Sequence, residues 1–117
     1  MVVLELSEQD VNRLFRALAD ATRRDIVRRT LVTDISVSQL ADSYEMSFAA
    51  VQKHIAVLEE AHLVTKAARG RERMVRGNVV RIHQAQRMLD HFEELWRSRI
   101  ERLDSLLAED IPASPDT

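Results

Sequence analysis

The stretch from Ser47 to Val64, SFAAVQKHIAVLEEAHLV, carries its polar chemistry at one end. Phe48, Val51, Ile55 and Leu58 recur at helical spacing and make one apolar stripe. The other face opens with Ala49, Ala50, Gln52 and Lys53, slim or hydrogen-bonding. Its acids, Glu59 and Glu60, come only in the last turns. A glutamine amide can pair bidentately with an adenine edge, and an alanine can touch a thymine methyl. Ser47, placed to cap the helix, and Lys53 suit phosphate oxygens instead. A helix that enters a DNA major groove by its N-terminal turns needs this gradient, because its rear leaves the groove and carries acids without cost. The competing reading, a purely structural amphipathic helix, gives no reason for it.

A second basic set lies downstream. Between Lys66 and Arg87 seven basic residues stand against Glu72 alone, a local charge of about +6. From Glu101 to Thr117 five acids accompany one arginine, a local charge of about −4. The overall charge of −2 therefore conceals a basic surface and an acidic end. Arg69, Arg71 and Arg73 surround Gly70 in LVTKAARGRERMVRG, whose weak alternation predicts a two-stranded hairpin. Alone, such a hairpin is a solvated charged loop. Beside a groove-reading helix its arginines suit phosphate or minor-groove contact. Thr22 and Arg23 stand where a helix begins, and helix N-termini favour anions.

These residues need a scaffold, and the rest of the chain predicts one. Ser7 and Asp10 form a capping-box pattern before a helix over 8–19 with Val11, Leu14, Phe15 and Leu18 on its apolar face. Asp20 caps a second helix to about Leu31, with Ile26 and Val27 inward. Ser36 and Gln39 open a short third helix to Ser43; Tyr44, Glu45 and Met46 then turn the chain into the Ser47 helix. This layout is a helix-turn-helix, and the basic hairpin after it is a wing. Asn78 caps a last helix over 79–108, about 45 Å long. Its stripe through Ile82, Ala85, Leu89, Phe92, Trp96, Ile100, Leu103 and Leu107 outruns what a small winged core covers, which points to a second subunit. The fold class expected is mainly α with a small β-hairpin. One domain spans 1–108 and a disordered acidic tail 109–117. The chain has no cysteine, which excludes disulfides, thiolate metal sites and thiol redox sensing. It shows no membrane-spanning run and no basic-flanked signal, so a cytoplasmic protein is expected.

FRALADATRRDIVRR, SVSQLAD, AAVQKHIAVLEEAHLV and RGRERMVRG together resemble the ArsR/SmtB family of bacterial winged-helix repressors, in order from about Leu14 to Arg76. HFEELWRSRIERLDSLL is similar to the last helix of a cysteine-free branch of that family. The resemblance implies a homodimer on double-stranded operator DNA, paired through its first and last helices. Leu14, Phe15, Leu89, Phe92, Trp96 and Ile100 are the contacts expected between subunits. Four departures concern local geometry, among them Ile55 for the family's usual leucine and Glu45 for a common turn glycine. Gln52 stands where the family has serine, and His62 stands where a glycine commonly ends the helix; histidine tolerates the left-handed conformation better than most residues.

Family members often release DNA on binding metal. The cysteine-bearing third-helix site is here SVSQLAD, which offers no soft ligand. His91 and Glu94 resemble part of the family's interhelical zinc site, with His83 nearby. However, Arg81 stands where its aspartate is expected, and one His with one Glu supplies only two of four ligands. No metal or cofactor is therefore expected, and whether an unknown small-molecule or metal effector acts is left open. No glycine-rich phosphate loop, catalytic cysteine or carboxylate pair suggests an enzyme. The alternative function is a winged-helix protein–protein module that sets its basic face against an acidic partner.

Overall fold

Each helix opens at a residue whose side chain satisfies its first turn. In the computed structural model, which describes residues 6–110, Ser7 Oγ accepts from the Asp10 amide at 3.0 Å and Asp10 accepts from the Ser7 amide, starting α1 (Glu8–Leu18). Asp20 caps α2 (Ala21–Val32) by accepting from the Arg23 amide at 3.0 Å. Ser36 and Gln39 exchange two 3.1 Å bonds at the start of α3 (Val37–Asp42). Ser47 Oγ accepts from the Ala50 amide ahead of α4 (Phe48–Glu60), and Asn78 accepts from the Val80 amide ahead of α5 (Val79–Asp110). A cap of this kind is worth about 1 kcal/mol.

The three strands are β1 (Ile35–Ser36), β2 (Val64–Arg69) and β3 (Glu72–Gly77), antiparallel in the order β1-β3-β2. Val64 pairs with Gly77 at the base of the hairpin and Arg69 with Glu72 at its tip. Gly70 takes φ +61° as the first of the two turn residues, the position that a type II′ hairpin reserves for glycine. Ile35 and Ser36 thus form a two-residue edge that completes the sheet.

Among the described residues the chain forms two compact units, one ending at Ala85 and one beginning at Gln86. In the first, Leu14, Ile26, Leu40, Val51, Ile55, Leu58, Leu63, Val64 and Val75 are almost fully buried. They come from all four short helices and both long strands, so one core fixes α4 against the hairpin. In the second, no side chain from Gln86 to Glu109 is buried within one chain. Helix α5 runs two residues beyond the expected end at Ala108, and the rest of the expected acidic tail, 111–117, lies outside the described residues. Among the described residues no helix is long and apolar enough to cross a membrane.

The end of α4 repays attention because a glycine is missing there. His62 adopts φ 60°; its amide donates to Glu59 O at 3.0 Å and the Leu63 amide to Leu58 O at 2.9 Å. These are the two bonds of a Schellman cap. Asn78 Nδ2 donates to the His62 carbonyl at 2.8 Å. The imidazole thus fills the left-handed position, and the cap delivers Leu63 into the core and β2 into the wing.

Glycine is required elsewhere for a different reason. A Cβ on Gly77 would meet Leu31 Cγ at 2.7 Å and the Leu31 backbone nitrogen at 2.9 Å. Gly77→Ala is expected to destabilise the fold by about 1–2 kcal/mol, an overpacking cost partly offset by the stiffer unfolded chain. Urea denaturation checks this; an unchanged midpoint would show that α2 shifts without penalty.

Candidate nucleic-acid interface

The outward face of α4 is the one expected. Ala49, Gln52, Lys53 and Ala56 are exposed while Val51, Ile55 and Leu58 seal its inner side, and Ser47 lies at its exposed N-terminus. Ala50 is half-buried. Phe48, placed by its spacing on the apolar stripe, is instead 50% exposed. As the first helical residue it lies a turn ahead of where the core closes over α4. Together with Val37, Ser38, Gln52, Ile55, Lys66, Arg71, Glu72 and Arg73 it lines an open groove between α4 and the hairpin. Phe48, Ser38 and Lys66 line this groove without a local sequence pattern that marks them for it. Only the position of Phe48 in the first turn of the helix could have signalled it.

The wing does not present its arginines as one set. Arg71 and Arg73 line the Gln52 groove and have no ion pair among the described residues. Arg69 lies 3.6 Å from Asp34, which also receives two 2.8 Å bonds from Arg76. Lys66 Nζ lies 3.4 Å from Glu59, so that rear acid of α4 faces the wing rather than bulk solvent alone.

The α2 N-terminus differs from expectation in its use. Asp20 already occupies it, and its carboxyl is held below the usual carboxylate value, chiefly by the bond from the Arg23 amide. The Arg23 side chain is spent internally: Nε donates to Ala17 O at 2.7 Å, one terminal nitrogen to Arg16 O at 3.1 Å, and the other lies 3.2 Å from His54 Nδ1. Arg23 thus ties the end of α1 to the middle of α4, leaving Thr22 as the half-buried residue there. Beneath the turn, Tyr44 donates to Asp25 at 2.6 Å, and Arg28 also pairs with Asp25. These bonds lower the Asp25 pKa, while burial, then the bond to Asp25, raises that of Tyr44.

Of the residues expected between subunits, Leu14 has no exposed surface within one chain and belongs to the core of unit 1. Phe15 in unit 1 is exposed, as are Leu89, Phe92, Trp96 and Ile100 in unit 2. His91 Nδ1 lies 3.9 Å from Glu94 Oε2, and among the described residues no group of three His, Asp or Glu side chains is arranged to hold a metal ion.

No family model matches the sequence. Similar proteins are nonetheless evident. The chain is 40% identical over 63 residues to the HTH-type transcriptional regulator Rv2034 of Mycobacterium tuberculosis. That match covers 54% of this chain, and the chain spans 59% of the length of that relative. An ArsR-like transcriptional regulator from Rhodococcus sp. RHA1 superposes with a TM-score of 0.75 at 28% identity, over 84% of this chain and 92% of that one. The crystal structure of a possible transcriptional regulator for arsenical resistance is 33% identical, with a TM-score of 0.61, over 83% of this chain and 94% of its own. With the helix-turn-helix, the hairpin wing and these relatives together, the chain belongs to the ArsR/SmtB family of winged helix-turn-helix transcriptional regulators, which are not enzymes.

Proposed function

We propose that the protein is a homodimeric repressor that binds an inverted-repeat operator in double-stranded DNA, with half-sites about one turn apart. The observation that carries this reading is the groove in which Gln52 of α4 meets Arg71 and Arg73 of the wing. In it Gln52 reads a base edge, Ala49, Ala50 and Phe48 approach thymine methyls, and Ser47, Lys53, Arg71 and Arg73 hold phosphates. Thr22 adds a backbone contact; Arg23 acts by setting the pose of α4. The homodimer accounts for the uncovered stripe of unit 2, since a lone helix with this much apolar surface is marginal in water. Repression rests on the family resemblance.

Half-exposed Phe48 also favours a second reading, a module that docks an acidic protein through the same groove. Genomic footprinting separates the two. A protected inverted repeat, with one near the protein's own promoter, is the expected result. No protected sites, with binding to acidic protein at low salt, would favour the docking module.

A further inference from the structure

Asp34, in the connection between α2 and β1, holds two cations of the wing. Arg76 meets it through two 2.8 Å bonds, while Arg69 approaches singly at 3.6 Å. The register explains the grouping. Thr65 stands opposite Arg76, and Arg69 opposite Glu72, so two-residue alternation puts Arg69 and Arg76 on one face of the hairpin. Both line a shallow cavity with Asp34. Lys66 and Arg73 fall on the other face, along the groove that contains Gln52. The wing therefore divides its positive charge between a side that shares the recognition helix's groove and a side that faces an acid of the same chain. The Arg76 bonds above all, and then the nearby positive charges, hold the Asp34 carboxyl below its ordinary value of 3.8, so it stays ionised at neutral pH.

We propose that Asp34 is a specificity-determining residue: it stands in for a phosphate beside Arg69 and Arg76 and so limits affinity for non-specific DNA. The proposal rests on the DNA-binding reading above. Non-specific complexes are almost wholly electrostatic and tolerate many orientations, so each available cation tightens them. An operator complex is oriented by base contacts, and those lie along the other face of the wing. To reach a phosphate, Arg69 must give up Asp34, so the net gain is small. With the carboxylate neutralised it gives up nothing. Arg69 is the arginine released first, because its single longer contact is weaker than the paired bonds of Arg76.

Asp34→Asn keeps an acceptor for Arg76 and removes the charge. At 0.1 M salt it is expected to bind random duplex on the order of 5–10-fold more tightly, with the log–log salt slope steeper by about 0.9, one further phosphate. Operator affinity should rise less, so discrimination falls. Asp34→Asn with Arg69→Gln should return the slope to that of wild type. Asp104→Asn, an exposed acid with no ion pair among the described residues, controls for net charge and should leave the slope unchanged. Arg69→Gln alone, which does not depend on how Asp34→Asn folds, should flatten the slope by less than half as much as Arg71→Ala. Melting and sedimentation verify each variant. An unchanged slope for folded Asp34→Asn, equal steepening by Asp104→Asn, or equal flattening by Arg69→Gln and Arg71→Ala would each overturn the proposal. Wild-type protein with no salt-dependent DNA binding would instead overturn the reading on which it rests.

Discussion

A protein carrying Phe92→Glu and Trp96→Glu is expected to sediment as a monomer and to bind a full operator on the order of 100-fold more weakly than wild type. Phe92 is 57% and Trp96 56% exposed in one chain, among Leu89, Leu95, Ile100, Leu103, Leu106 and Leu107, which are similarly open. Burying that stripe against its copy removes apolar surface from water on both helices, at roughly 25 cal/mol per Å². Two glutamates at its middle would have to be buried without partners, which costs several kcal/mol. The loss on DNA follows from linkage. When one half-site is occupied, a tethered second subunit meets the other at an effective concentration in the millimolar range, and a monomer forfeits that advantage. Unit 1 keeps its fold, because among the described residues every buried core residue lies at or before Ala85. Sedimentation at micromolar concentration and fluorescence anisotropy on full and half operators check the result. A variant that remains dimeric would move the interface elsewhere, with exposed Leu31, Val32, Val79 and Val80 the next surface to test. A monomer with undiminished operator affinity would mean that one half-site suffices.

Gln52→Ala should cost about 1–3 kcal/mol on the operator and relax preference at one base pair per half-site. On random DNA it should do little, since a neutral amide displaces no counterions. Arg71→Ala should behave oppositely, weakening operator and random DNA alike and flattening the salt dependence by about one phosphate. If Arg71 enters the minor groove, its loss will also vary with A·T content there. The two side chains line the same groove, so this pair of variants separates reading from positioning within one small region. Affinities across a salt series on both DNAs are the measurement. Equal losses on both DNAs for Gln52→Ala would reduce it to a positioning residue and shift base reading to Ser47, Ala50, Lys53 or Phe48.

The amino-acid sequence by itself determined the helices, their caps and the hairpin, because those depend on neighbours a few residues apart. Ser7 with Asp10, Asp20, and Ser36 with Gln39 all satisfy the first-turn amides as their spacing requires. His62 accepts the left-handed conformation in glycine's place, and the inner and outer faces of α4 follow from periodicity. The tertiary structure alone decided which polar groups are still available. Arg23, Arg69 and Arg71 have the same side chain, yet Arg23 is spent on α1 carbonyls and His54, Arg69 faces Asp34, and Arg71 borders Gln52. Arg76 and its partner Asp34 are 42 positions apart, and no local pattern records such a pairing. Leu14 and Phe15 are adjacent on one apolar face, but only three-dimensional packing buries the first and leaves the second exposed. Secondary structure follows from local hydrogen bonding and hydrophobic period. The availability of a charge follows from what the fold brings beside it, and short-range spacing does not encode that.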